Sequence, residues 1–85
     1  MTAMKSNVIR LCAMARFNAD QVQQNASMYA LVDLRAAARE LGIKGSSKMN
    51  SVALVDAMTD WSQINADGDH EAYNTSMVIA GETTN

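Results

Sequence analysis

Not one proline occurs in this chain of 85 residues, and glycine occurs only four times, at Gly42, Gly45, Gly68 and Gly81. Proline breaks a helix interior outright, and glycine is the next most costly residue there. With both so scarce, nothing forbids long helices before residue 42. Breaks are expected over 42–50 and again after residue 65. The expected fold class is therefore all-α. The length adds a second limit, because a chain this short buries only roughly 60 to 65% of the surface it exposes when unfolded. One domain with a thin core is the most it can build. Apolar residues make up 48% of the sequence, but only Phe17, Tyr29, Trp61 and Tyr73 are aromatic. Alanines, aliphatics and seven methionines must fill the remaining gaps, a role that suits the adaptable thioether.

Charge divides the chain into three segments. Residues 1–28 carry Lys5, Arg10 and Arg16 against Asp20; residues 29–61 balance four cations with four acids. Residues 62–85 hold Asp67, Asp69, Glu71 and Glu82 with no lysine or arginine. The expected organisation follows these bounds: an N-terminal helical segment (1–28), a central module (29–61) and an acidic, weakly structured tail (62–85). The single cysteine, Cys12, has no partner for a disulfide or a zinc cluster, so a reducing compartment is the expected setting. Arg10 interrupts the only N-terminal apolar run. Neither an export signal nor a membrane span is expected, and the location is read as cytoplasmic, or intracellular within a virus particle.

Along the chain, Met4, Val8, Leu11, Cys12 and Ala15 recur at helical spacing and predict an amphipathic helix over 4–17. Asn18 three residues before Gln21 forms a capping-box pattern. The residues after it read either as a short helix or as a lead-in capped by Ser27. The clearest stripe, Leu31, Leu34, Ala37, Ala38 and Leu41, predicts a helix that ends at Leu41, with Gly42 in a left-handed conformation and Ile43 folding back on the last turn. Lys44 to Lys48 read as an extended polar connection. Asn50 or Ser51 can then cap a further helix whose Val52, Leu54, Val55, Met58 and Trp61 face the preceding one. Past Trp61 the pattern fades into turn chemistry, and the run from Met77 to Ala80 suits a short strand or a docking segment.

The stretch from Leu31 to Val55 combines a leucine–arginine pair (Leu34, Arg35), an alanine one turn on, the Leu41-Gly42-Ile43 break, the Lys44-Gly45 loop and a leucine early in the next helix. This pattern resembles the helix–extended loop–helix module of SAP-like domains and of the N-terminus of transcription terminator Rho, over about residues 29–61. The resemblance implies contacts to nucleic acid backbone. The chain departs from the family where a lysine and a glutamate usually open the second helix. Ser51 and Ala53 stand there instead, which removes one phosphate contact.

Catalytic and cofactor signatures are absent from the residue pattern, and no cofactor is expected. His70 is the only histidine and stands in the tail between Asp69 and Glu71, which reads as a solvated side chain. Asn65, Asp67 and Asp69 alternate like calcium-loop ligands, but Gly68 falls at the fourth place and Ser76 stands where the bidentate glutamate belongs. Gly42 to Lys48 fails the spacing of a nucleotide P-loop. A non-enzymatic protein is expected, with no metal site. Arg35, Arg39, Lys44 and Lys48 are the candidate nucleic-acid contacts, able to grip phosphates weakly and without reading bases. Met77, Val78 and Ile79 are the candidate partner-docking residues, expected to be buried on the chain itself, on a second copy or on another protein. The competing reading is accordingly a protein–protein assembly element, such as a small phage structural component or a regulator of another protein.

Overall fold

The computed structural model describes residues 5–83. Five α-helices follow in order: α1 (Ser6–Phe17), α2 (Ala19–Asn25), α3 (Leu31–Glu40), α4 (Ser51–Asn65) and α5 (His70–Glu82). Short 3-10 turns at Ala26–Met28 and Ser46–Lys48 lie between them. The all-α class holds, and no strand occurs among the described residues.

The first helix is the axis of the molecule. It packs against α2, α3, α4 and α5 in turn, and Ser6, Val8, Leu11, Cys12, Ala13, Met14 and Ala15 are all buried. At 100° per residue those positions run most of the way round the helix, so it is buried on more than the one stripe expected. Met4, the first position of that stripe, lies outside the described residues. Cys12 donates a long sulfur contact to the Ala37 carbonyl, 3.8 Å away. Burial pushes its thiol up to about 11, outweighing the opposing pull of Arg16.

Asn18 does precede α2, but its side chain makes no capping bond; its carbonyl accepts from the Gln21 amide instead. Of the two readings left open here, the short helix is the one formed. Ser27 falls inside the first 3-10 turn, and Ala30 stands at the N-cap of α3.

The α3–α4 hairpin follows its local signals closely at both helix ends, but the connection over Lys44 to Lys48, expected to be extended, winds into a 3-10 turn at Ser46–Lys48 that buries Ser46. The Ile43 amide bonds the Ala38 carbonyl at 3.0 Å and the Gly42 amide bonds the Arg39 carbonyl at 3.1 Å. This pair of reversed bonds is a Schellman closure. Gly42 has φ 80° and Gly45 φ 78°, which is left-handed backbone that costs an L side chain roughly 1–2 kcal/mol. At the start of α4, Asn50 Oδ1 accepts from the Ala53 amide at 2.9 Å. Leu34, Leu41, Leu54 and Met58 are buried in one cluster with Val8, Leu11 and Val22. Val52 departs from expectation and is 72% exposed. Leu54, Met58 and Ser62 define the buried line of α4, and a position two residues before Leu54 lies on the opposite side of a helix.

The largest correction concerns residues 62–85, expected to be irregular. Helix α4 continues to Asn65, and His70–Glu82 is helical. Asp69 Oδ1 accepts from the Ala72 amide at 3.0 Å and caps α5, while Glu71 in its first turn suits the positive end of the helix dipole. The run Met77 to Ala80 is thus neither a strand nor a single buried block, because helical geometry divides it. Met77 packs on the core and Ala80 is buried, whereas Val78 is 60% and Ile79 50% exposed.

Side-chain hydroxyls tie this region to α1. Ser6 Oγ donates to the Ala80 carbonyl at 2.7 Å, and Ser62 Oγ to the Ala15 carbonyl at 2.7 Å. The Asp67 amide donates to the Arg16 carbonyl at 3.1 Å. Ala15 and Arg16 lie in the last turn of α1, whose carbonyls have no intrahelical donor. The α4–α5 junction therefore supplies the donors that complete α1.

Candidate nucleic-acid interface

Two faces of α3 serve different ends. Leu34, Ala37, Ala38 and Leu41 turn into the core, at helical spacing i, i+3, i+4 and i+7. Val32, Arg35, Ala36 and Arg39 repeat the same spacing on the outer side and line a shallow groove of about 250 Å³, completed by Ser46 and Ser47 of the second 3-10 turn. None of these lining residues is acidic. Asp33 is buried and accepts from Asn7 Nδ2 of α1 at 3.2 Å, so its charge is directed away from the groove.

Each of the four cations expected to contact phosphate is exposed. Arg35 and Arg39 meet at the groove, and Lys44 and Lys48 stand on the loop that forms its other wall. Arg35 also has a structural role, since its Nη2 donates to the Met49 carbonyl at 3.2 Å and braces the entry to α4. Ser46 is buried beneath the loop, whereas Ser47 is exposed at the groove.

The docking residues are placed differently. Met77 faces inward while Val78 and Ile79 stand on the outer side of α5, so the structure does not bring the three together on one face. His70 is exposed at the start of α5. Among the described residues, no group of histidine, cysteine or acidic side chains has the arrangement to hold a metal ion. No helix is long and apolar enough to cross a membrane among those residues.

A second concavity, of about 460 Å³, lies where α1, α2 and α5 converge, and the sequence pattern did not reveal it. Each helix contributes one face: Asn7 and Met14 from α1, Gln21 and Asn25 from α2, Tyr73 and Met77 from α5. Met28, Tyr29 and Ala30 close one side. The only hint in the sequence is the repeated i, i+4 spacing of Gln21 with Asn25 and Tyr73 with Met77, which carries no meaning until the helices are assembled.

No family model, no curated protein and no solved structure matches this chain.

Proposed function

We propose that this chain is a non-enzymatic module that contacts nucleic acid backbone through α3 and the loop after it. The observation that carries the reading is the acid-free groove on which Arg35 and Arg39 open beside Ser46 and Ser47, with Lys44 and Lys48 exposed on the same loop. A guanidinium pair one helical turn apart, flanked by two flexible ammonium groups, suits successive phosphates of a strand. Contacts to phosphate carry no sequence information of their own, so affinity is weak and independent of sequence. With up to four phosphate contacts, log K falls with log salt at a slope of about −3 to −4. The test is fluorescence anisotropy of labelled single-stranded and duplex oligonucleotides at low salt, comparing the native chain with the Lys44→Glu, Lys48→Glu double variant. The double variant is expected to lose binding. Absence of binding by the native chain, or binding unaffected by the two substitutions, refutes the reading.

A second reading rests on Val78 and Ile79, which expose much of their apolar surface on α5. In it the chain is an assembly element, a small phage structural component or a regulator of another protein, that docks through this helix. Sedimentation of the native chain and of a Val78→Ser, Ile79→Ser variant tests self-association. A monomer at all concentrations in both cases removes the self-association form of this reading.

A further inference from the structure

The concavity between α1, α2 and α5 has a composition that the backbone-binding reading leaves without a role. Its floor and walls combine three methionines with the rings of Tyr29 and Tyr73. Thioether sulfurs make favourable contacts with aromatic rings, and aromatic rings add offset or edge-to-face contacts with one another. An aliphatic guest of equal size gains neither. The volume of about 460 Å³ falls in the range of roughly 300 to 1,000 Å³ that small-molecule sites occupy.

Polar groups with unused valence surround this apolar floor. Asn25 Nδ2 donates to Gln21 Oε1, which leaves Gln21 Nε2 as a donor and Asn25 Oδ1 as an acceptor at the rim. Among the described residues, neither tyrosine hydroxyl takes a hydrogen bond. The hydroxyl of Tyr29 is raised above its ordinary pKa, first by burial, so it stays protonated as a donor.

Every residue that lines the concavity is uncharged. Arg10 and Asp33 are both engaged through Asn7: Arg10 Nη1 donates to its Oδ1 at 3.2 Å, and its Nδ2 donates to Asp33 Oδ2 at 3.2 Å. A charged ligand would lose hydration in the concavity without an ionic partner among its lining residues.

We propose that this concavity is a binding site for an uncharged aromatic small molecule that carries a hydroxyl or amide group. The ring sits among Met14, Met28, Met77 and the two tyrosines, and the polar group bonds the Gln21–Asn25 amide pair.

The test uses the full chain with methyl-labelled methionine and 4-ethylphenol as the probe, followed by methyl NMR. Saturable shifts are expected at Met14, Met28 and Met77, while Met49 and Met58, outside the pocket lining, stay unchanged. The charged analogue 4-ethylbenzoate and the non-aromatic 4-ethylcyclohexanol are each expected to bind roughly fivefold or more weakly. Met28→Glu and Ala30→Trp both alter exposed lining positions, so the fold is retained, as an unchanged Met58 methyl verifies, and binding is lost. No saturable shift up to the solubility of the phenol overturns the proposal. Equal affinity for either comparator, or unchanged affinity in both variants, overturns it as well.

Discussion

The α3–α4 hairpin is closed by large side chains and explicit caps, whereas α5 meets α1 around the buried Ala80, with Tyr73 and Met77 half-buried on the core and one hydroxyl-to-carbonyl bond from Ser6. In the hairpin, Leu34, Leu54 and Met58 are wholly buried, and the turn is set by Gly42, Gly45 and the Asn50 cap. On the α1–α5 side the contact is more extensive, yet the buried residue of α5 is Ala80, reached by the hydroxyl of Ser6. Burying a leucine contributes about 1.5–3 kcal/mol, and a net hydrogen bond about 0.5–1.5 kcal/mol. The two regions thus differ in how their stability is distributed. The hairpin concentrates it in a few side chains, and the α1–α5 contact spreads it over many weak ones.

This difference is most sharply tested at Leu54. Leu54→Ala leaves a cavity beneath both helices of the hairpin and is expected to lower unfolding stability by about 2–4 kcal/mol, measured by urea denaturation. That is a large share of the total for so small a domain.

Next in size is an alkaline effect at the seam between the two regions, where Cys12 of α1 meets the Ala37 carbonyl of α3. The folded thiol titrates at about 11, against an ordinary value of 9.0. The unfolded chain therefore releases this proton first as pH rises. The stabilisation is fully present below pH 9 and is lost as pH approaches 11, on the order of 2 kcal/mol in all. Chemical denaturation at pH 8 and pH 11 is expected to show the loss, and Cys12→Ala to remove that part of it. In the native chain a thiol reagent at neutral pH is expected to react only as fast as the protein opens.

Where α4 meets the last turn of α1, Ser62→Ala removes a buried donor and leaves the Ala15 carbonyl without its partner. A loss of about 1–2 kcal/mol is expected. Hydrogen exchange is expected to quicken in the last turn of α1 and at the end of α4 before it changes in α3. Exchange that quickens in α3 at the same time would mean that these helices form one cooperative unit.

The smallest effect is expected at Gly42. Gly42→Ala places a side chain in left-handed backbone, but there is open space around the position. The cost is therefore that of the backbone alone, about 1 kcal/mol, and Gly42→Asn is expected to cost less because asparagine tolerates this conformation.

The legibility of the candidate groove follows the same division. Arg35 and Arg39 are one turn apart on a helix whose apolar stripe and C-terminal end its own residues announce, and Lys44 and Lys48 belong to the loop that Gly42 initiates. Their shared exposure could be read from the chain. Met77, Val78 and Ile79 could not be placed that way. As a run of apolar letters they suggest one buried block, and only a helical reading of α5 sends Met77 inward and the other two outward.

By itself the sequence determined the helical class, the C-terminal end of α3 and the glycine-led reversal, and it narrowed the cap of α4 to Asn50 or Ser51. These depend on backbone groups satisfied within a few residues of one another, so a local pattern contains the whole cause. Tertiary structure alone decided that α1 is buried almost all round, that the acidic segment forms a docked helix, and that three helix faces border an open concavity lined by methionine and tyrosine. The physical reason is the distance along the chain between cause and effect. Ser6 and Ala80 stand 74 positions apart, and Ala15 and Ser62 stand 47 apart. Small and hydroxyl-bearing residues carry no strong hydrophobic period of their own, and they become an interface only when a distant backbone carbonyl comes within 2.7 Å.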